Sequence, residues 1–452
     1  MTEKNKDRVQ SYSLATTISM IVGIVIGSGI YFRADDIVSY TNGNLALGLF
    51  ALALGAMCIV FGSLTLSQLS KRHISSGGLV AYFEKYISKE VATGFGWFQL
   101  YIWMPSISVV VGWAAALYTF MLFSYKASLL EQVILGLIYN FFFIYINYMS
   151  RNFGGFIQRL TTAIKLVPLV AIAFYGLFIA KPISHEFISN SSFAREVSNP
   201  SWLTALVPLA FSYDGWTIAM TIAPEVINPK KNMVKALIIS PIIILLVYLV
   251  YIYGITNILG YEAILNLGDS AVFEAGKIIF GEKLGNLLLV IVVISVLGVV
   301  NGINLAAIRM PQALAEKSMI RDAGLSRIDP KRQLSIRSIL YFMGLEAIWT
   351  ILHYIVIKYN LFNGRDVSEI SIVFSYISYI LLYSVVFKML KEEKAGIALI
   401  VPILASLGSI IILVGSIIAS PLYITIFIVI CSLVMYIGYL YGKNNKSDTV
   451  ED

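Results

Sequence analysis

From Leu14 to Tyr441 the chain alternates long apolar runs with short polar stretches rich in lysine and arginine. A helix needs about 20 mostly apolar residues to cross a bilayer core. Twelve runs meet that length, near residues 14–40, 45–69, 95–123, 129–149, 154–180, 202–224, 233–259, 284–314, 335–357, 368–390, 396–418 and 421–441. They are numbered here as spans 1 to 12, and they predict an all-α polytopic membrane protein with twelve transmembrane helices. Two further segments fall short. Residues 77–89 (GGLVAYFEKYISK) predict a short amphipathic helix at the cytoplasmic surface. Residues 261–283, with Asp269 and Glu274, predict a partly helical outer loop.

Two spans carry interruptions. Span 1 holds Gly27, Ser28 and Gly29, and span 6 holds Ser212, Asp214 and Gly215 near its middle. Small residues serve close helix packing, which is one reading of Gly27-Ser28-Gly29. Matched interruptions five spans apart favour a second reading, in which helices 1 and 6 are broken and spans 1–5 and 6–10 form an inverted repeat. The repeats then cover residues 14–180 and 202–390. Two additional helices cover 396–441, and 1–13 and 442–452 are cytoplasmic tails. Broken backbone at membrane depth is tolerated only where it lines a cavity. At the span 1 break the N–H groups of Ser28, Gly29 and Ile30 begin the outer half-helix, a positive dipole end that suits a carboxylate. The carbonyls of Val25 and Ile26 end the inner half. In span 6 the carbonyls of Phe211 and Ser212 face the break and can accept an ammonium. Donors for an anion lie beside acceptors for a cation, which matches an α-amino acid zwitterion.

Composition agrees with the bilayer reading. Hydrophobic residues make up 58% of the 452 residues and charged ones only 13%, about half the share of a soluble domain. With the N-terminus inside, all lysine and arginine residues other than Lys165 fall about three to one on the cytoplasmic side. Both termini are then cytoplasmic in a cell-membrane protein. The net charge of +7 is explained by basic loops facing an anionic leaflet, with no nucleic acid partner. The polar N-terminus and long first run do not resemble a cleavable signal peptide. Cys58 and Cys431 lie in apolar runs, so no structural disulfide is expected. His73, His185 and His353 lack ligand spacing, so neither a metal nor another cofactor is expected. Gly276-Lys277 and Gly442-Lys443 lack the following Ser or Thr of a phosphate-binding loop. An enzyme would show a nucleophile, base or metal cluster near one interface, and none is visible. A sensor would add a soluble domain, yet the tails are short.

The segments GSGIYF (27–32), SSGGLVAYFE (75–84), GGFIQRLTTAIKLVP (154–168), FSYDGWTIA (211–219), PEVINPKK (224–231) and Asn301-Gly302 together resemble the amino acid–polyamine–organocation superfamily. The likeness is to the bacterial members of its L-type amino acid transporter family. It implies a five-plus-five inverted repeat with helices 1 and 6 broken. It also implies alternating access and sodium-independent exchange of neutral, small amino acids. The alternative is a proton-coupled amino acid or polyamine symporter of the same fold. The family's unwound helix 1 maps onto Gly27, Ser28 and Gly29, its aromatic gate onto Phe211 and its helix 5 lysine onto Lys165. A substrate-side tyrosine maps onto Tyr248, and a helix 8 polar partner onto Ser295. Heavy-subunit members carry a cysteine between spans 3 and 4. Residues 124–130 have none, so a monomer or weak oligomer without a disulfide-linked heavy subunit is expected.

Charges at membrane depth are functional candidates by default. Lys165 is midway along span 5. It is read either as a structural ion pair or, by the resemblance, as a cation that bonds a span 1 carbonyl and Ser295. Asp214 is read either as a cap on the inner half of span 6 or as a group bordering the pocket. Glu346 lies in span 9, a peripheral helix, and is read as a protonated or paired structural carboxyl with no transport role. Arg33 and Glu225 are read as snorkelling from span ends. The pocket candidates are Phe211, Tyr213, Thr217, Ile107, Val111 and Tyr248.

Overall fold

The computed structural model describes residues 10–31, 34–180, 196–198, 200–362 and 366–447; His185 and Arg33 lie outside them. Among the described residues, ten helices are long and apolar enough to cross a membrane. They are Leu45–Arg72, Lys89–Leu122, Leu129–Met149, Asn152–Phe178, Pro229–Leu259, Leu287–Glu316, Ile336–Lys358, Glu369–Glu392, Gly396–Ala419 and Pro421–Asn445. These coincide with spans 2–5 and 7–12. The two spans missing from the set are 1 and 6, and both are in pieces. Span 1 consists of 1a, Leu14–Val25, and 1b, Ser28–Tyr31. Span 6 consists of 6a, a 3-10 turn running into Leu206–Ser212, and 6b, the 3-10 helix Ile218–Glu225.

Polar side chains start several helices by accepting N–H groups that have no intrahelical carbonyl. Ser13 accepts from Thr16, Asn44 from Leu47 and Ser150 from Phe153. Ser128 and Glu131 form a reciprocal capping box at span 4. Close packing between helices uses small residues. A Cβ on Gly176 would lie 2.4 Å from the Gly254 backbone, and one on Gly112 2.8 Å from the Gly136 carbonyl oxygen. Spans 5 and 7, and spans 3 and 4, touch backbone to backbone there. Large apolar side chains such as Phe174, Phe178, Leu340 and Ile351 point outward, as a surface facing lipid requires. The chain is a multi-pass membrane protein.

Several sequence readings need correction. Residues 79–86 are helical, but Leu79 to Phe83 are all buried. Phe83 lies 4.3 Å from Phe95, ring centre to ring centre, so the apolar face of this helix packs on protein instead of lying on headgroups. The stretch 261–283 needs no correction in its helical content: predicted partly helical, it holds the helices Tyr261–Leu267 and Ala271–Phe280. Glu225 does not snorkel. Its carboxylate accepts two hydrogen bonds from Arg309, at 2.6 and 3.0 Å, and both side chains are 4% exposed or less. Span 8's run of helix gives way at Ile308 and Arg309, which lets Arg309 turn inward. The chain's start is sewn to this ion pair: Ser11 and Tyr12 donate to the Glu225 carbonyl, and Ile227 donates to that of Tyr12.

Candidate functional site

Gly27, Ser28 and Gly29 are poor helix formers, and the helix stops at them. Ile26 leaves helical geometry at ψ 85°, and helix resumes at Ser28. Span 6a ends at Ser212, and residues 213–217 form turns before 6b. Gly215 takes φ +89°, a conformation that disfavours any side chain, and a Cβ there would sit 2.6 Å from Ile24. A Cβ on Gly29 would lie 3.1 Å from Ser212 Oγ. The two breaks therefore meet, and the lack of side chains lets them. Tyr248 of span 7 ties them together: its hydroxyl lies 2.8 Å from the Ser212 carbonyl oxygen and 3.1 Å from that of Val25.

A cavity of about 450 Å³, counting its open side, lies against this junction. Ile24, Ile107, Val111, Val299 and Ile303 give it an aliphatic wall. Gly27, Gly29, Phe211, Ser212, Asp214 and Gly215 complete it from the breaks. Asp214 is its charged wall residue. One carboxylate oxygen accepts from Trp103 Nε1 at 3.3 Å; the other is buried with no hydrogen bond among the described residues. Trp103 reaches Asp214 from a π-helical turn at Gln99–Trp103, just before Pro105. Proline has no N–H, so the usual ladder of span 3 is broken there.

Lys165 is fully buried, and its ammonium donates to the carbonyls of Gly23 (2.7 Å) and Ile26 (2.8 Å). It thus caps the end of span 1a, where carbonyls have no intrahelical donor. Tyr31 of span 1b donates to the Lys165 carbonyl at 2.5 Å. One residue of span 5 thereby holds both halves of span 1.

The structure gathers Val25, Gly27, Gly29, Phe211, Ser212, Asp214, Ile107 and Val111 at the cavity. It does not gather the others. Tyr213 points away and donates to the Leu52 carbonyl of span 2. Thr217 meets Tyr379 of span 10 at 3.3 Å. Tyr248 and Ile30 are buried behind the wall. The backbone of Ser28 opens span 1b; its side chain lies outside the described residues. Four carbonyls read as exposed at the breaks already have donors. Ile26 O takes Lys165 and Val25 O takes Tyr248, while Phe211 O takes the Asp214 N–H and Ser212 O takes Tyr248. Ser295 makes no hydrogen bond among the described residues and so does not partner Lys165 there. The cavity-bound carboxylate of Asp214 takes its bond from Trp103, and no side chain caps 6b. Sequence reasoning placed Gly215 at the span 6 break but missed Trp103, Ile24, Val299 and Ile303. Pro105 was a signal for the first; the aliphatic residues carry none that separates them from ordinary core. No group of three or more His, Cys, Asp or Glu forms a metal-like cluster among the described residues.

A polytopic helical bundle with a small cavity at two meeting helix breaks is the architecture of a membrane permease. The chain belongs to the amino acid permease family, whose model matches residues 12–450. It is similar to the serine/threonine exchanger SteT of Bacillus subtilis, at 28% identity over 94% of this chain and 95% of that one. It is also similar to the mouse b(0,+)-type amino acid transporter 1, at 25% identity over 95% and 88%. The human cystine/glutamate transporter matches at 26% over 64% and 58%.

Proposed function

We propose that this chain is a transporter of α-amino acids, a sodium-independent exchanger of neutral, small L-amino acids working by alternating access. The observation that carries this is the cavity at the two breaks, with an acceptor carboxylate and helix-start donors on one side and aliphatic walls on the other. The substrate ammonium meets Asp214, which takes over the role first assigned to the span 6 carbonyls. The substrate carboxylate meets the N–H groups that open span 1b at Ser28, Gly29 and Ile30. The aliphatic wall leaves a charged side chain without a partner, an unfavourable burial. Phe211 gates the cavity.

Lys165 supplies a fixed positive charge beside the span 1 break. A sodium ion is then not required to hold the broken backbone. Residues 14–180 and 202–390 act as inverted five-helix repeats that rock about the site, with 396–441 as an addition. The Tyr12, Glu225 and Arg309 assembly seals the end carrying the N-terminus, which the lysine and arginine distribution places in the cytoplasm of a cell-membrane monomer or weak oligomer. No disulfide-linked heavy subunit is required.

The test uses proteoliposomes loaded with radiolabelled serine and challenged outside with each of the twenty amino acids. Small neutral L-amino acids should release label, equally in sodium and in choline. Release that is the same with no external amino acid, or that requires sodium, overturns the proposal.

A further inference from the structure

Resting on the transporter reading above, we propose that Glu346 is a proton-binding site, outside the substrate cavity, through which pH governs exchange. Glu346 lies near the middle of span 9, Ile336–Lys358, and is fully buried. Span 9 is peripheral in the bundle, yet this residue faces inward onto span 3. Its Oε1 lies 2.6 Å from Ser108 Oγ, and its Oε2 makes no hydrogen bond among the described residues.

Ser108 belongs to a closed polar cluster. Its Oγ lies 3.0 Å from Asn140 Oδ1 and 3.4 Å from Asn304 Oδ1. Asn304 Nδ2 donates to Asn140 Oδ1 at 2.8 Å, and Asn140 Nδ2 donates to the Ser108 carbonyl at 3.1 Å. The Ser108 hydroxyl has one hydrogen to give. If Glu346 is ionised, that hydrogen must serve it, and a buried anion is left with one hydrogen bond and a bare oxygen. If Glu346 is protonated, its own O–H donates to Ser108, and Ser108 donates onward to an asparagine carbonyl. Only the neutral form fits a site of this kind, because an uncompensated buried carboxylate costs many kcal/mol.

Among the described residues Glu346 makes no ion pair, and the next charge along span 8, Arg309, is paired with Glu225. Spans 3, 4 and 8 contain no Lys, Arg, His, Asp or Glu at residues 91–122, 132–149 and 287–307. The tyrosines there that bear on this face are engaged elsewhere, Tyr101 with Tyr341 and Tyr139 with Thr119. On span 9 the other titratable group of the same stripe is His353. It is about 10 Å further along at 1.5 Å per residue, with its ring edge-on to Trp113 at 4.8 Å.

The cluster is tied to the cavity. Ser108 follows Ile107, and Asn304 follows Ile303; both hydrophobic neighbours are cavity wall. A shift of span 3 against spans 8 and 9 during the cycle takes Ser108 away from Glu346. Water admitted by that shift takes the place of Ser108, hydrates the carboxyl and accepts its proton, and the proton returns when the cluster closes and the water leaves. Proton occupancy and cavity geometry are thereby linked.

The experiment measures serine exchange in proteoliposomes held at the same pH inside and out. The range runs from about pH 5 to about pH 9, wide enough to cover shifted carboxyl groups. Wild-type exchange should change several-fold over the range, while Glu346→Gln stays active and varies by less than about twofold. His353→Gln should keep the wild-type profile. Infrared difference spectra of the full chain should show a protonated carboxyl band that substrate perturbs and that Glu346→Gln lacks; this readout stands even if that variant transports poorly. A wild-type profile in Glu346→Gln, a flat one in His353→Gln, or a band unmoved by substrate overturns the proposal. A protein that exchanges no amino acid, but whose pH-sensitive carboxyl band disappears in Glu346→Gln, overturns the transport reading and leaves the proton site intact.

Discussion

Lys165 donates to the carbonyls of Gly23 and Ile26 at the end of span 1a. Hydrogen bonds from a charged donor contribute about 1.5–3 kcal/mol each, and a buried carbonyl left unsatisfied costs about 1–3 kcal/mol. Lys165→Ala should therefore cut exchange at least tenfold while the protein still purifies as a folded species, as judged by its elution and thermal unfolding. Exchange near the wild-type rate would remove this lysine from the mechanism. Tyr248→Phe deletes the hydroxyl that ties Val25 to Ser212. At about 1–3 kcal/mol for the lost tie, half-saturation for substrate should rise roughly tenfold, measured by concentration series in the same vesicles. Residues of this kind were legible in proportion to how odd they looked. A lysine in a bilayer is conspicuous, and so is a glycine pair. Tyr213 was not legible, because inside a turn the 3.6-residue period no longer says which way a side chain points, and it faces span 2 instead of the cavity. Asp214 was half legible: its chain position left a cap and the pocket border both open, and its neighbours decide for the charged wall of the cavity.

At the scale of elements, the two interruptions were readable because each concentrates residues that helices reject. Their meeting was not readable, since it depends on Gly29 lying against Ser212 and Gly215 against Ile24. Gly29→Leu should consequently fill the approach and abolish measurable substrate binding in a scintillation proximity assay, with the thermal midpoint little lowered. Unaltered affinity would mean that the substrate lies elsewhere. The wide turn at Gln99–Trp103 left only Pro105 as a trace in the sequence. The helix Leu79–Tyr86 looked amphipathic because one face is apolar. Sequence pattern does not say whether such a face meets lipid or protein, and here it meets Phe95 and its neighbours.

For the molecule as a whole, the number and limits of the long spans follow from hydropathy alone, whereas the closure at one end does not. That closure depends on Arg309, whose guanidinium is turned inward onto Glu225 where the helix of span 8 gives way. Removing one member of a buried pair costs about 3–5 kcal/mol. Glu225→Gln should accordingly open this end more often. A cysteine placed by Ile303→Cys should then react about tenfold faster with an impermeant thiol reagent from the side bearing the N-terminus; an unchanged rate would deny the pair a sealing role. The stitching of Ser11 and Tyr12 to Glu225 and Ile227 has a practical consequence. A fluorophore or affinity handle fused just upstream is mechanically loaded onto the closing parts, so it would both report and burden every opening. A handle beyond Pro421–Ser447 leaves that stitching untouched and is the better choice for purification.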